Sequence, residues 1–110
     1  MDTYSAIDAF AALAHDTRLA VFRLLIKQGE KGMAAGDIAG ALGSRANTMS
    51  VNLAVLSRAG LVTSERDGRS IRYTANMEGL RGLLGYIMED CCGGRPELCQ
   101  PMLDELVCDC

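Results

Sequence analysis

Near Leu61 the apolar residues of this chain stop recurring at helical spacing and begin to alternate, and that change of period limits the fold more than any other feature. Before it, Ile7, Phe10, Ala11 and Ala14 stand at i, i+3, i+4 and i+7, which predicts an amphipathic helix over residues 4–14. Asp16 is placed to cap a second helix through about Lys27, with Val21, Phe22, Leu24, Leu25 and Ile26 largely buried. Gly29 and Gly32 mark its end. A short third helix runs from about Ala34 to Leu42, pairing Ile38 with Leu42 and stopping at Gly43. A fourth spans about Ala46–Arg58, with Met49, Leu53 and Leu56 on one face, and Gly60 ends it.

Beyond the change of period, Leu61–Arg66 and Arg69–Thr74 read as strands around Asp67-Gly68, a strong two-residue hairpin signal. Ile71 and Tyr73 share one face of the second strand. Asn76 can cap a fifth helix that turns Leu80, Leu83, Leu84 and Ile87 inward and ends at Gly93-Gly94. The order of elements describes a mainly α winged helix-turn-helix, about five helices in the order α-α-α-α-β-β-α, with an extra helix at each end. At 110 residues there is material for one such core and not for two.

In a helix-turn-helix the second helix enters the major groove and its N-terminal residues touch base edges. Here that helix offers Arg45, Asn47, Thr48, Ser50 and Asn52, whose hydrogen-bonding side chains can reach bases or phosphates. The hairpin supplies Arg66, Arg69 and Arg72 for the phosphate backbone or minor groove. The formal charge of −3 argues against a nucleic-acid partner until its distribution is considered. Residues 87–110 hold Arg95 against Glu89, Asp90, Glu97, Asp104, Glu105 and Asp109, which leaves a positive balance on residues 1–86. The plain alternative is a solvated polar helix face beside an ordinary turn, and periodicity alone does not separate the two.

Three segments in order separate them. Phe10-Ala11-Ala12-Leu13-Ala14-His15-Asp16-Thr17-Arg18-Leu19 resembles the start of bacterial repressors of the ArsR/SmtB family. Ser50-Val51-Asn52-Leu53-Ala54-Val55-Leu56-Ser57-Arg58-Ala59-Gly60-Leu61-Val62 resembles that family's recognition helix running into its wing, and Arg66-Asp67-Gly68-Arg69-Ser70-Ile71-Arg72-Tyr73 is similar to the wing itself. Asn52 departs from the pattern, since the family often has a histidine there. The resemblance covers about residues 7–90. It implies a homodimer built mainly from the first and last helices, which holds inverted-repeat operator DNA and releases it on binding a metal. Gly79, Gly82 and Gly85 on the last helix suit the close approach of another backbone.

All five cysteines, Cys91, Cys92, Cys99, Cys108 and Cys110, lie in the final stretch of the chain. Such clustering, in an odd number, reads as metal-binding or catalytic rather than as a disulfide framework. The family's arsenic site in the helix before the recognition helix has no counterpart, because residues 34–42 hold no thiol. Its zinc-type site on the last helix needs paired histidines, and His15, the one histidine, reads as a helix-end or surface residue. Cys91 continues the apolar stripe of the fifth helix, Cys92 sits about 100° around from it, and Gly93-Gly94 permits a reversal that brings Cys99 back over the pair. Three converging thiols suit pyramidal arsenic(III) or antimony(III), whereas structural zinc normally takes four ligands. The tail resembles the arsenic-responsive subgroup with an adjacent cysteine pair and a third cysteine at the end of this helix. Cys108 and Cys110 are auxiliary ligands or frayed tail.

The expectation is therefore an As(III)- or Sb(III)-responsive repressor without an organic cofactor, its DNA-binding and dimerisation domain in residues 1–92 and its cysteine-rich sensing tail in 93–110. Sensing of cadmium, lead, zinc or copper is the alternative, as is a redox-sensing thiol, which the acidic neighbours Glu89 and Asp90 disfavour. A thiol enzyme such as a small arsenate reductase would need an oxyanion-cradling glycine loop, and a metal buffer would leave Asn47–Asn52 and the arginine hairpin without a purpose. No apolar run is long enough to span a membrane, and Met1-Asp2-Thr3-Tyr4 does not open a secretory signal, so a cytoplasmic protein is expected.

Overall fold

A computed structural model describes residues 1–89 and 96–106. Its elements in chain order are α1 (Thr3–Leu13), α2 (Asp16–Gln28), a 3₁₀ turn (Gly29–Lys31), β1 (Met33–Ala34), α3 (Ala35–Leu42), α4 (Ala46–Arg58), β2 (Val62–Asp67), β3 (Ser70–Ala75), α5 (Met77–Ile87) and α6 (Pro96–Glu105). The fold is the expected winged helix-turn-helix, with six helices among the described residues and a third strand. That strand, β1, is two residues long, too short to announce itself by alternation. It pairs Met33 with Tyr73 and Ala34 with Arg72, giving an antiparallel sheet in the order β1-β3-β2.

Gly32 makes this third strand possible. Its φ is +64°, and a Cβ there would lie 2.5 Å from the Tyr73 carbonyl oxygen and 2.7 Å from Thr74 Cγ2. Only glycine allows the chain to pass so close to β3. In the hairpin, Asp67 pairs with Ser70, so the two loop residues are Gly68 and Arg69, one position later than the Asp67-Gly68 signal suggests. Gly68, at φ +64°, takes the first loop position, where a positive φ is wanted.

The core joins Val21, Phe22 and Leu25 of α2 to Ile38 of α3, to Met49, Leu53 and Leu56 of α4, and to Leu61 and Val62 at the start of the hairpin. Two helices meet this core differently from the periodic pattern. In α1 the buried residues are Ala6, Ala9 and Ala12, while Ile7 is 55% and Phe10 44% exposed. In α5 only Leu83 is buried; Leu84 and Ile87 are 48% and 51% exposed rather than turned inward. Alanine lets α1 lie close on the core, which leaves its large side chains on the outer side. Thr3 Oγ1 and Tyr86 Oη hydrogen-bond at 2.6 Å, holding α1 beside α5.

Asp2 caps α1, accepting from the Ser5 backbone N–H at 2.7 Å, and that bond holds its carboxyl below the usual value. At α2 the cap position belongs to His15, with Asp16 as the first helical residue. His15 is exposed and its Nδ1 lies 3.5 Å from Asp16 Oδ1, a helix-end residue. Asn76 stands at the cap position of α5 without capping it; its Nδ2 donates to the Gly60 carbonyl at 2.8 Å. Gly79 packs on that same carbonyl, which an added Cβ would overlap. Its role is therefore contact within the chain rather than with a second backbone.

Candidate nucleic-acid interface

Helices α3 and α4 meet through the turn Gly43-Ser44-Arg45, with Gly43 in the left-handed conformation. Met49, Leu53 and Leu56 anchor one face of α4, so the opposite face must look outward. At about 100° per residue, Asn47, Val51, Ala54 and Arg58 fall within about 60° of one another at the centre of that outer face, with Ser50 at its edge. All five are exposed, as are Arg45 and Thr48. Asn47 Oδ1 accepts from the Thr48 backbone N–H at 2.9 Å, which leaves its amide nitrogen to donate outward. No Asp or Glu occurs anywhere in α4. Val51, 64% exposed, Ala54 and Arg58 were not among the residues expected at this interface, although their position opposite the anchors was the available signal.

Asn52 takes a different place from the one expected of a base reader. It is 6% exposed and is the one buried polar residue among the described residues. Its Oδ1 accepts from Arg18 Nη1 at 3.3 Å, and Arg18 Nε donates to the Ala12 carbonyl at 2.6 Å. On the helical wheel it falls about 40° from Leu56, at the edge of the buried face, so packing claims it.

The hairpin arginines also divide. Arg66 and Arg69 are exposed and make no ion pair among the described residues. Arg72 is half-buried and faces inward: its Nη1 donates to the Lys31 and Gly32 carbonyls at 3.0 and 3.2 Å, and its Nε lies 3.7 Å from Asp67 Oδ2. It fastens the wing to the 3₁₀ turn rather than projecting from it.

Of the cysteine set, Cys91, Cys92, Cys108 and Cys110 lie outside the described residues, as do Gly93 and Gly94. Cys99 falls within α6, so the returning segment expected as a loop is a helix, opened by Pro96. Among the described residues no group of three His, Cys, Asp or Glu side chains is placed to hold a metal ion, and no helix is long and apolar enough to cross a membrane.

Residues 13–65 match a family described as a helix-turn-helix domain. No curated protein matches the chain. Among solved structures, fragment 1–100 of a possible transcriptional regulatory protein from Mycobacterium bovis is 32% identical, with 78% of this chain and 91% of that chain covered and a TM-score of 0.62. The solution structure of fragment 1–100 of a possible ArsR-family regulator from the same organism is a homodimeric winged helix-turn-helix DNA-binding domain. It is 29% identical over 83% of this chain and 84% of that one, with a TM-score of 0.64. A possible transcriptional regulator for arsenical resistance is 29% identical over 73% of this chain and 80% of its own, also at TM-score 0.64. An ArsR-like regulator from Rhodococcus sp. RHA1, 24% identical, extends the likeness in fold to 97% of this chain and 96% of its own, with a TM-score of 0.69. Together with the acid-free outer face of α4 and the arginine-tipped wing, these likenesses establish that the chain belongs to the ArsR/SmtB family of winged helix-turn-helix transcriptional regulators.

Proposed function

We propose that this chain is an As(III)- or Sb(III)-responsive repressor that binds inverted-repeat operator DNA as a dimer and lets it go when the metalloid takes Cys91, Cys92 and Cys99. The observation that carries the DNA-binding part is the outer face of α4. In a chain of net charge −3, that helix has no carboxylate and exposes Asn47, Thr48, Ser50 and Arg58. Arg45, Arg66 and Arg69 serve the phosphates, and Asn47 donates to a base acceptor. Asn52 and Arg72 act behind this surface, holding α4 and the wing in place.

Dimerisation is supported by the apolar side chains that α1 and α5 leave outside. Tyr4, Ile7, Phe10, Leu84 and Ile87 are all exposed, beside a groove of about 390 Å³ lined by Met77, Leu80, Leu84 and Met88. A partner subunit covers such a face, and it then sets the spacing of the two recognition helices. The inducer part rests on the donor set. Three thiols with no nearby histidine pair fit a thiophilic, three-coordinate ion, and the arsenical-resistance relative agrees with that choice. Ligation at the end of α5 acts on the helix that carries the dimer face. A coupling of about 1–3 kcal/mol between metalloid and DNA is the usual scale for such a link.

A gel shift tests both parts. DNA selected by the metal-free protein from a random pool is released by arsenite in the wild type and stays bound to a Cys91→Ser/Cys92→Ser/Cys99→Ser variant. Equal release from both proteins, or none from the wild type, sinks the inducer assignment. Binding whose affinity does not fall steeply with salt sinks the DNA assignment.

A further inference from the structure

The polar and charged residues of α4 account for only part of its outer face. At the centre, between Asn47 and Arg58, stand two aliphatic side chains, Val51 and Ala54. Val51 is 64% exposed. Most other large apolar side chains left outside on the helices lie on α1 and α5, where a second subunit accounts for them; Val51 has no such neighbour surface. A β-branched residue is also a mediocre choice for an exposed helix interior. Nothing in the packing of the chain calls for it.

The major groove does. Thymine presents its C5-methyl group there, the one apolar feature on a base edge, and an aliphatic side chain on a recognition helix reads it by contact. A face with an amide donor at one end, a guanidinium at the other and branched aliphatic carbon between them is complementary to a base edge that carries a methyl group. We infer that Val51 is a specificity-determining residue, and that each operator half-site holds a thymine whose methyl group packs against it. The inference rests on the DNA-binding role proposed above and adds to it the identity of one base.

The experiment uses the full-length protein and DNA it selects from a random pool. Each thymine in turn is replaced by deoxyuridine, which removes the methyl group and leaves every hydrogen-bonding edge intact. At one position per half-site the wild type loses about four-fold in affinity, the effect of exposing one methylene-sized group. Val51→Ala, on an exposed helical position where alanine folds well, binds the thymine and deoxyuridine versions equally. Val51→Thr, which keeps one methyl group in place, retains part of the preference. If deoxyuridine costs the same in the wild type and in Val51→Ala at every position, while both bind with a steep salt dependence, the Val51 assignment is wrong and the DNA-binding role stands. If the wild type shows no salt-dependent binding at all, both are overturned.

Discussion

Arg18 joins three helices through one guanidinium, with Nε on the Ala12 carbonyl at the end of α1 and Nη1 on the buried Asn52 of α4. Removing one member of a buried pair leaves the other unsatisfied, which costs more than the bond itself contributes. Arg18→Met or Asn52→Leu is therefore expected to destabilise the chain by about 1–3 kcal/mol in urea unfolding. In the double variant Arg18→Met/Asn52→Leu neither group is orphaned, so its loss should fall short of the two single losses added together; strict additivity would show that the pair does not interact. Asn52 was legible as polar and misread as a base reader, because residue type alone does not show which side of a helix is covered. Asp2 makes a second residue-scale case. Its carboxyl is held below the ordinary value in the folded state by the Ser5 N–H, so the contribution is present above the unfolded pKa and is lost as pH falls through the folded one. Asp2→Asn keeps an acceptor at the cap, and its stability should fall less than the wild type's over that acid range, as followed by helical circular dichroism.

At the scale of elements, the long helices and the hairpin were legible because each has many periodic residues and all but α1 have a glycine or asparagine at an end. What escaped was set by contacts distant in sequence. β1 exists because Gly32 lets the chain reach β3, and Asn76 and Gly79 are both fixed by the Gly60 carbonyl across the α4–β2 turn. Gly79→Ala sets two effects against each other. Alanine gains about 1 kcal/mol of helix propensity, while its Cβ must displace backbone, an overpacking that costs about 1–3 kcal/mol. The clash is with a carbonyl rather than a flexible side chain, so the melting temperature should fall. Gly40→Ala in α3 meets nothing within 4 Å and should raise it. A rise in both variants would mean that α5 can shift away from the Gly60 turn at no cost. The stripe of α5 was found by spacing, but its Leu84 and Ile87 were assigned to the wrong side, because a helix pattern looks the same whether it faces its own core or a second subunit.

For the whole molecule the apolar side chains that α1 and α5 leave exposed become the main evidence for assembly. The radius of gyration is 15.5 Å and the extents are 49 × 32 × 24 Å, longer than the roughly 13 Å radius expected of a compact chain of this size. An elongated protomer with Ile7, Phe10, Leu84 and Ile87 in water leaves an apolar surface that a second copy would bury. Ile7→Glu/Leu84→Glu places two like charges on that face, and since both residues are already exposed, the protomer should keep its helical circular dichroism. In light scattering the variant should elute as a monomer. Its affinity for selected inverted-repeat DNA should drop by a factor of about 10² or more, because one protomer loses the second half-site contact and the effective concentration it provides. Affinity for a single half-site should change little, since α4 and the wing are untouched. A variant that stays dimeric would place the interface elsewhere. A monomer with undiminished affinity would show that the two recognition helices do not act together, and the proposed route from the end of α5 to DNA release would lose its physical basis.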